Sequence, residues 1–295
     1  MFPGVIIWES VMNMPEYPVD APRLTYMWHG HRIAYYTDGD GPTVLLIHSI
    51  NAAASSFEMR QTLAGLRTKH RVYALDFLGY GGSDRPARRY SADDYAILIA
   101  DFTREVIGVG TRVIASSLSS AYVIRAAARN PGLFGALILV CPTGIVDLAQ
   151  PKQPGAAYAL LYSAIGDALF AGLTSRGSIR YFLSSQSYYD PKAVDDALVD
   201  GFCRAANQPG RKYAPICFLT GLLNCNIAEE FGQLQQPILL VWGKNADITP
   251  LERAQAFLER NPRARLEVFD RARLSIQDEH PAQFNRLALE FFAST

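Results

Sequence analysis

The sequence predicts an α/β fold whose mostly parallel sheet is doubly wound, with helices on both faces. Short, unbroken apolar runs alternate with segments of helical pattern, and such runs are typical of strands buried on both sides. A block rich in helical stretches and aromatic residues, 145–235, interrupts this alternation. We therefore predict an α/β core formed by 1–144 and 236–295, with 145–235 as a helical cap over one end of the sheet.

Each element of the core is predicted from a local pattern. The predicted strands cover 32–36, 44–47, 72–75, 113–115, 136–141, 238–241 and 266–269. Three predicted helices cover 55–68, 92–107 and 281–292. A fourth runs from the end of the strand at 113–115 to residue 130, and a fifth starts at residue 250. Ligands of such folds bind outside the carboxyl ends of the strands, so the junctions after these ends are where a site is expected.

Composition narrows the class of function. The 295 residues include 28 Lys and Arg and 28 Asp and Glu, so the formal charge is 28 − 28 = 0, and no basic surface for nucleic acid is expected. No G-x-G-x-x-G or phosphate-binding loop opens a helix, so no nucleotide cofactor is expected. The four cysteines form no C-x-x-C pair, which predicts buried thiols, no metal site and a reducing, cytoplasmic setting.

One apolar segment, 156–173, is almost long enough to cross a membrane. It carries Gly166 and Asp167 at its centre and lies in the middle of the chain. We interpret it as a buried or pocket-lining helix and expect no membrane contact. Together with the aromatic residues of the block, it favours a small, mainly apolar molecule as the partner.

The junction RVIASSLSSAYVI, 112–124, is where a nucleophilic serine would be placed. Ser117 lies between an apolar strand and a helix, and small residues, Ala115 and Ser119, stand two positions away on either side. Such a sharp turn requires small neighbours. Ser119 would lie inside the helix, so Ser117 is the preferred nucleophile. A serine hydroxyl is a poor nucleophile at neutral pH and needs a base.

Five segments lie at the ends of predicted strands. In chain order they are LLIHSINAA, ALDFLGYGGSDRP, VIASSLSSA, VWGKNADITP and ARLSIQDEHPAQF. Together they resemble the α/β-hydrolase fold superfamily, from about residue 31 to the end of the chain. The resemblance implies a cap inserted after the sixth strand and Ser117 as the nucleophile. It also implies an oxyanion hole formed by the amides of Ile50 and Leu118, with His48 bracing the loop that carries Ile50.

The resemblance also shows two departures at the catalytic triad. Leu274 stands seven residues before Pro281, where the family has its histidine, and Ala246 stands at the position of the acid. Asp247 follows Ala246 by one position. It is either a displaced catalytic acid or a residue with only a structural role. His280 lies six residues beyond the expected place, and His48 is a weaker candidate for the base. The predicted triad is therefore degenerate.

Three hypotheses of function follow, and the sequence leaves them open. The first is a protein of serine-esterase ancestry that acts on a small apolar carbonyl compound without an ordinary Ser-His-Asp triad. The second is an active carboxylic ester hydrolase with a non-standard base. The third is a non-catalytic, ligand-binding pseudoenzyme. Whether Leu274 is natural or engineered, and which oligomer the chain forms, cannot be predicted from one sequence.

Overall fold

The computed structural model describes residues 19–295, which form an eight-stranded sheet flanked by helices. The strands are β1 (Arg23–Trp28), β2 (His31–Asp38), β3 (Thr43–Ile47), β4 (Arg71–Leu75), β5 (Thr111–Ser116), β6 (Phe134–Val140), β7 (Ile238–Gly243) and β8 (Arg265–Phe269). Their order in the sheet is β1-β2-β4-β3-β5-β6-β7-β8. The strands from β3 to β8 pair in parallel, whereas β1 and β2 form an antiparallel edge.

The predicted α/β fold is confirmed, because every predicted strand is present and the central ones are covered on both faces. The side chains of β3 from Val44 to Ile47 are fully buried. Because six strands run in parallel, their carboxyl ends meet at one edge of the sheet, which we call the carboxyl edge. The sequence did not predict β1, whose residues alternate only weakly between partly buried and exposed.

The helices of the core lie before and after the cap. They are α1 (Arg60–Leu66), α2 (Ala92–Phe102), α3 (Ser119–Arg129), α10 (Ala254–Arg260), α11 (Ile276–Glu279) and α12 (Pro281–Ala293). The helix predicted at 55–68 begins as a 3-10 turn, Ser56–Met59, which Ser55 caps by accepting a hydrogen bond from the amide of Phe57. The segment predicted as a helix from 250 also opens with a 3-10 turn, Leu251–Arg253.

Residues 145–235 lie between β6 and β7 and contain helices and no strand. The helices are α4 (Ala156–Tyr162), α5 (Ala164–Leu173), α6 (Arg176–Phe182), α7 (Asp196–Ala206), α8 (Tyr213–Leu219) and α9 (Ala228–Gln233). This agrees with a cap inserted after the sixth strand, and its boundaries at 145 and 235 stay a prediction.

The interpretation of 156–173 as one buried helix is wrong, and the alternative that it lines a pocket stays a prediction. The segment forms two short helices that meet at Ser163, and most of its residues are exposed to solvent. In the described part of the chain, no single helix is long and apolar enough to cross a bilayer. The pair α4 and α5 has the required length and hydropathy, but the two helices are bent by 82° relative to each other.

The cap packs over the carboxyl edge. The carbonyl oxygen of Ser187 accepts hydrogen bonds from the amides of Leu274 and Ser275, both at 3.0 Å. The Tyr122 hydroxyl, on α3, donates to the carbonyl of Leu223 at 2.9 Å. These bonds attach the cap to the loop after β8 and to the helix that follows β5, both of which border the candidate site.

A buried ion pair of the core also binds the cap. Arg60 donates from Nη1 to Oδ2 of Asp278 at 2.7 Å, and the hydroxyl of Tyr188, from the cap, donates to the same oxygen. The Asp278 side chain is 3% exposed. Burial raises the pKa of Asp278, and the neighbouring Arg60 opposes that shift. Burial and the adjacent carboxylate raise the pKa of Tyr188 well above its ordinary value, so it remains a donor.

Candidate active site

Ser117 occupies the sharp turn between β5 and α3. Its φ is 55°, in the left-handed region that residues with a Cβ atom rarely adopt, and its amide donates to the carbonyl of Val140 at 2.8 Å. A non-glycine residue in this conformation costs about 1–3 kcal/mol and is found most often at functional sites. The side chain is half-buried, and its hydroxyl makes no hydrogen bond within residues 19–295.

The neighbours of Ser117 permit this turn. Among the hydroxyl groups of Ser117, Ser119 and Ser120, only that of Ser117 makes no hydrogen bond within residues 19–295. Ala115 is fully buried under the turn. The Ser119 hydroxyl donates to the carbonyl of His48 at 2.6 Å, and the Ser120 hydroxyl donates to the carbonyl of Ala115 at 3.2 Å. Ser119 therefore ties α3 to the loop after β3, which agrees with the preference for Ser117 as the nucleophile.

We expect Ser117→Gly to be more stable than Ser117→Ala, although both remove the hydroxyl. Alanine keeps the strain of the left-handed conformation, about 1–2 kcal/mol, whereas glycine relieves it at an entropic cost of roughly 0.5–1 kcal/mol. Thermal unfolding measures the difference, which should reach about 1 kcal/mol. At Ser119, a helical position, the order should reverse. If glycine is the less stable variant at both positions, Ser117 is not strained.

Two buried amides stand beside this turn without a partner. Leu118 and Ile50 are buried, and neither backbone N–H donates a hydrogen bond within residues 19–295. Buried N–H groups are nearly always paired, so two unpaired ones at one edge of a sheet are an arrangement suited to an oxyanion. The φ of Ser49, the residue before Ile50, is not positive, so the backbone does not require glycine there.

The loop that carries Ile50 is held by a buried carboxylate that the sequence analysis did not single out for this role. Glu58 accepts hydrogen bonds from the Ser49 amide at 2.9 Å, from the Ser49 hydroxyl at 3.0 Å and from Nδ2 of Asn51 at 3.2 Å. Burial raises the pKa of Glu58, while these donors oppose the shift. Ser55 and Glu58 are spaced like the residues of a helix capping box, whereas the bonds from Glu58 to Ser49 form only in the folded chain.

His48 braces the same loop from its other side. The amide of Phe77 donates to Nε2 at 3.2 Å, so Nε2 is an acceptor, and in the neutral ring Nδ1 carries the proton. Nδ1 lies 2.6 Å from the carbonyl oxygen of Ser49, to which it donates. Both nitrogens are engaged, and the ring is completely buried. In this arrangement His48 has no free lone pair to accept a proton from Ser117.

The other four histidines are placed elsewhere in the fold. His29 and His31 belong to the β1–β2 hairpin, which β4 and β3 separate from β5, a distance of about 14 Å at the usual strand spacing. His70 precedes β4 and therefore lies at the opposite edge of the sheet. His280 begins α12, where its Nε2 lies 2.9 Å from the carbonyl of Arg271. None of the four forms a hydrogen bond to Ser117.

Leu274 lies in the loop after β8, and short contacts connect this loop to the strand end next to Ser117. The thiol of Cys141, which follows β6, lies 3.8 Å from the carbonyl oxygen of Arg273, and burial raises the pKa of that thiol to about 11. Cys141 is the residue after Val140, the hydrogen-bond partner of Ser117. Leu274 is half-buried and packs against the core. An aliphatic side chain therefore occupies the position where the resemblance places a base.

The turn after β7 places Ala246 against the same loop. Lys244 and Asn245 donate from their amides to the carbonyls of Phe269 and Ala272, both at 3.0 Å, and Ala246 is buried. Asp247 points outward, with 68% of its side chain exposed, and lies 3.5 Å from Nη1 of Arg273. This placement favours the structural interpretation of Asp247, because its neighbour is an arginine and no histidine.

The loop after β4 also lies at the carboxyl edge. Oδ1 of Asp76 accepts from the amide of Ser56, and its Oδ2 accepts from the amide of Gly82, both at 2.7 Å. Gly81 has a positive φ, and a Cβ atom there would lie 2.1 Å from Cγ of Asp76, so the turn requires glycine. Within residues 19–295, no group of three or more His, Cys, Asp or Glu residues could hold a metal ion.

This combination of a parallel sheet, a strained serine after β5 and a cap after β6 agrees with the family comparison. The model of the alpha/beta hydrolase family matches residues 44–287, which is most of the chain. The chain belongs to the α/β-hydrolase family. The match covers the segments that carry Ser117, Ala246 and Leu274, so these positions belong to the family domain itself.

Among its relatives are proteins named as hydrolases of 2-hydroxy-6-oxo unsaturated acids. The 2-hydroxy-6-oxononadienedioate/2-hydroxy-6-oxononatrienedioate hydrolase of Comamonas testosteroni is 24% identical over 271 residues, covering 89% of this chain and 92% of that protein. The 2-hydroxy-6-oxo-6-(2'-aminophenyl)hexa-2,4-dienoic acid hydrolase of Metapseudomonas resinovorans is 24% identical over 270 residues, 90% of this chain and 88% of that protein.

Solved structures show the same fold. A serine hydrolase involved in carbazole degradation superposes with a TM-score of 0.79 and 20% identity, covering 93% of this chain and all of that one. The meta-cleavage product hydrolase from Pseudomonas fluorescens IP01 superposes with a TM-score of 0.74 and 23% identity, covering 92% of this chain and 97% of that one. At this level of identity, the likeness establishes the fold alone.

Proposed function

We propose that this α/β-hydrolase binds and acts on a small, mainly apolar carbonyl compound without an ordinary Ser-His-Asp triad. One observation carries the proposal: the unbonded hydroxyl of Ser117 shares the carboxyl edge with the unpaired amides of Ile50 and Leu118, while Leu274 stands at the position of the base. On this proposal, the amides of Ile50 and Leu118 polarise a carbonyl group, and the chain lacks the base that would activate Ser117.

The two amides would act on the carbonyl oxygen of the ligand. N–H groups fixed by the fold stabilise the negative charge that develops on such an oxygen, and they do so most strongly where water is excluded. Glu58, through Ser49, and the Ser119 hydroxyl, through His48, would keep the Ile50 and Leu118 amides in position. The ligand thus becomes electrophilic, while Ser117 can offer it a hydrogen bond from its hydroxyl.

Covalent catalysis by Ser117 would be slow. In a serine protease, loss of the serine or the histidine alone lowers kcat by about 10⁶-fold, and the remaining machinery retains roughly 10³–10⁴ over the reaction in water. The same limit should hold here, because His48 has both nitrogens engaged and Leu274 cannot accept a proton. An active ester hydrolase with a non-standard base is therefore the less favoured alternative.

Two further observations support an apolar carbonyl ligand. The relatives named above are hydrolases of 6-oxo unsaturated acids, which contain a ketone group of the kind that an oxyanion hole polarises, so they support the carbonyl group of the ligand and not its apolar body. On this chain, the residues assigned to the hole and to the base position carry aliphatic side chains: Ile50, Leu118 and Leu274. Such side chains favour an apolar body next to the carbonyl group.

Turnover of a short-chain aryl ester, such as 4-nitrophenyl butyrate, tests the proposal. The wild type should hydrolyse it far below ordinary enzyme rates, and Ser117→Ala should change the rate little. Ordinary rates that Ser117→Ala abolishes would establish the active ester hydrolase instead. Binding of an aryl methyl ketone, with no turnover of any carbonyl compound offered, would establish the ligand-binding pseudoenzyme.

A further inference from the structure

The cap carries an exposed apolar surface that faces away from the core. We call it the α4–α5 surface, and it is formed by the large side chains of Leu160, Tyr162, Ile165, Leu169 and Leu173. Their exposed fractions are 50%, 36%, 57%, 47% and 46%. Five large apolar side chains exposed within fourteen residues form a concentrated patch of the kind that marks an interaction site.

The α4–α5 surface presents almost no charge. Between Lys152 and Arg176, the only charged residue is Asp167. Oδ2 of Asp167 lies 2.8 Å from Nζ of Lys212, whose side chain is only 7% exposed and also donates to the carbonyl of Ser163 at 2.9 Å. The single carboxylate is thus neutralised by a cation from within the cap, as a surface that enters an apolar medium requires.

The apolar residues are exposed around most of the helix circumference. In α5 only Gly166 and Phe170 are buried, and in α4 no residue is buried. A flat protein partner would cover one face of such helices and leave the others in water. A fluid hydrocarbon layer can surround a projecting helix on every side except the one attached to the protein.

The bend between the helices is fixed by local bonds. The side chain of Ser163 accepts a hydrogen bond from the amide of Ile165, which caps the start of α5, and its hydroxyl donates to the carbonyl of Leu160. Together the two helices have the hydropathy of a membrane-spanning segment, but at 82° to each other they do not form a span. An uncharged, apolar pair of helices of this shape can enter a bilayer from one side, with its apolar side chains below the headgroups.

We propose that the α4–α5 surface docks on a lipid bilayer, and that it inserts Ile165, Leu169 and Leu173 into the outer part of the hydrocarbon layer. These three residues are spaced four apart and form one stripe along α5. The ring cluster of Tyr158, Tyr162 and Tyr213, with centroids 5.7 and 5.3 Å apart, would lie beside the headgroups, where tyrosine is favoured. This inference replaces the expectation from the sequence that 156–173 makes no membrane contact, and it does not depend on the proposed function.

Co-sedimentation with phosphatidylcholine vesicles tests this proposal on the full chain. The wild type should bind, and binding should depend little on salt because the surface is uncharged. The triple variant Ile165→Ser, Leu169→Ser, Leu173→Ser should lower the partition coefficient by about 10²-fold. The control replaces three other exposed apolar side chains by serine: Met27, Ile97 and Val109. The control should bind like the wild type, and circular dichroism should show both variants folded.

A reporter variant gives a second measurement. A tryptophan in place of Leu169 should shift its emission to shorter wavelengths when vesicles are added, whereas one in place of Ile97 should not. The proposal is overturned if the wild type does not sediment with vesicles, or if both triple variants bind equally. It is also overturned if sedimentation equilibrium shows a dimer that only the α5 variant dissociates while vesicles remain unbound, because the occupant is then a second copy of the chain.

Discussion

The double variant Leu274→His, Ala246→Asp should hydrolyse 4-nitrophenyl butyrate about 10²-fold faster than the wild type, or more. A positioned general base contributes about 10²–10⁴-fold. The backbone is already arranged for it: the Ser187 carbonyl holds Leu274, and the amides of Lys244 and Asn245 run along the same loop. A histidine at 274 would receive the proton of Ser117, and an aspartate at 246 would orient its ring.

Two controls identify the source of the gain. Leu274→Asn with Ala246→Asp introduces polar groups of similar reach but no base, so its rate should stay at the wild-type level. Adding Ser117→Ala to the double variant should remove the gain completely. If the asparagine variant gains as much as the histidine variant, Leu274 only limits access, and it does not occupy the position of the base.

Arg60→Ala should destabilise the protein by about 3–5 kcal/mol, the largest stability effect we expect from a single substitution. Removing one partner of a buried ion pair leaves the other charge buried without compensation. Here the remaining group would be Asp278, whose other partner is the hydroxyl of Tyr188. The exposed pair Lys244 and Asp270 is a suitable control, and Lys244→Ala should lower the free energy of unfolding far less than Arg60→Ala does.

The stability lost in Arg60→Ala should grow as the pH rises. Burial already raises the pKa of Asp278, and loss of Arg60 removes the charge that opposes this shift. The unfolded chain releases its proton at the ordinary pKa, whereas the folded chain holds the proton to a higher pH. Stability therefore falls between these two pKa values, and urea unfolding at pH 5 and pH 8 should show a smaller deficit at pH 5. An equal deficit at both values would contradict this account.

The elements predicted best were those with a local signal. Unbroken apolar runs marked the strands from β3 to β7, and the small residues around Ser117 marked the turn after β5. The strand β1 was missed because it pairs only with β2 at the sheet edge, so its pattern of burial is weak.

What the sequence could not predict depends on contacts between distant segments. The pair of Arg60 and Asp278 joins positions 218 apart in the chain, and Tyr188 belongs to the cap. Likewise, Glu58 follows a pattern typical of a helix cap, but in the folded chain its oxygens bind Ser49 and Asn51. The exposure of 156–173 was also beyond sequence reasoning, since hydropathy does not distinguish a buried apolar helix from an exposed one.

The most direct test of the unactivated serine is the reaction of the wild-type protein with a fluorophosphonate, followed by intact and peptide mass spectrometry. These probes form a covalent adduct with a serine that a neighbouring base has activated. We expect no adduct on Ser117 under conditions that label an ordinary serine esterase to completion, and an adduct on the Leu274→His, Ala246→Asp variant. Stoichiometric labelling of Ser117 in the wild type would contradict the account, because some group in the folded protein would then be acting as its base.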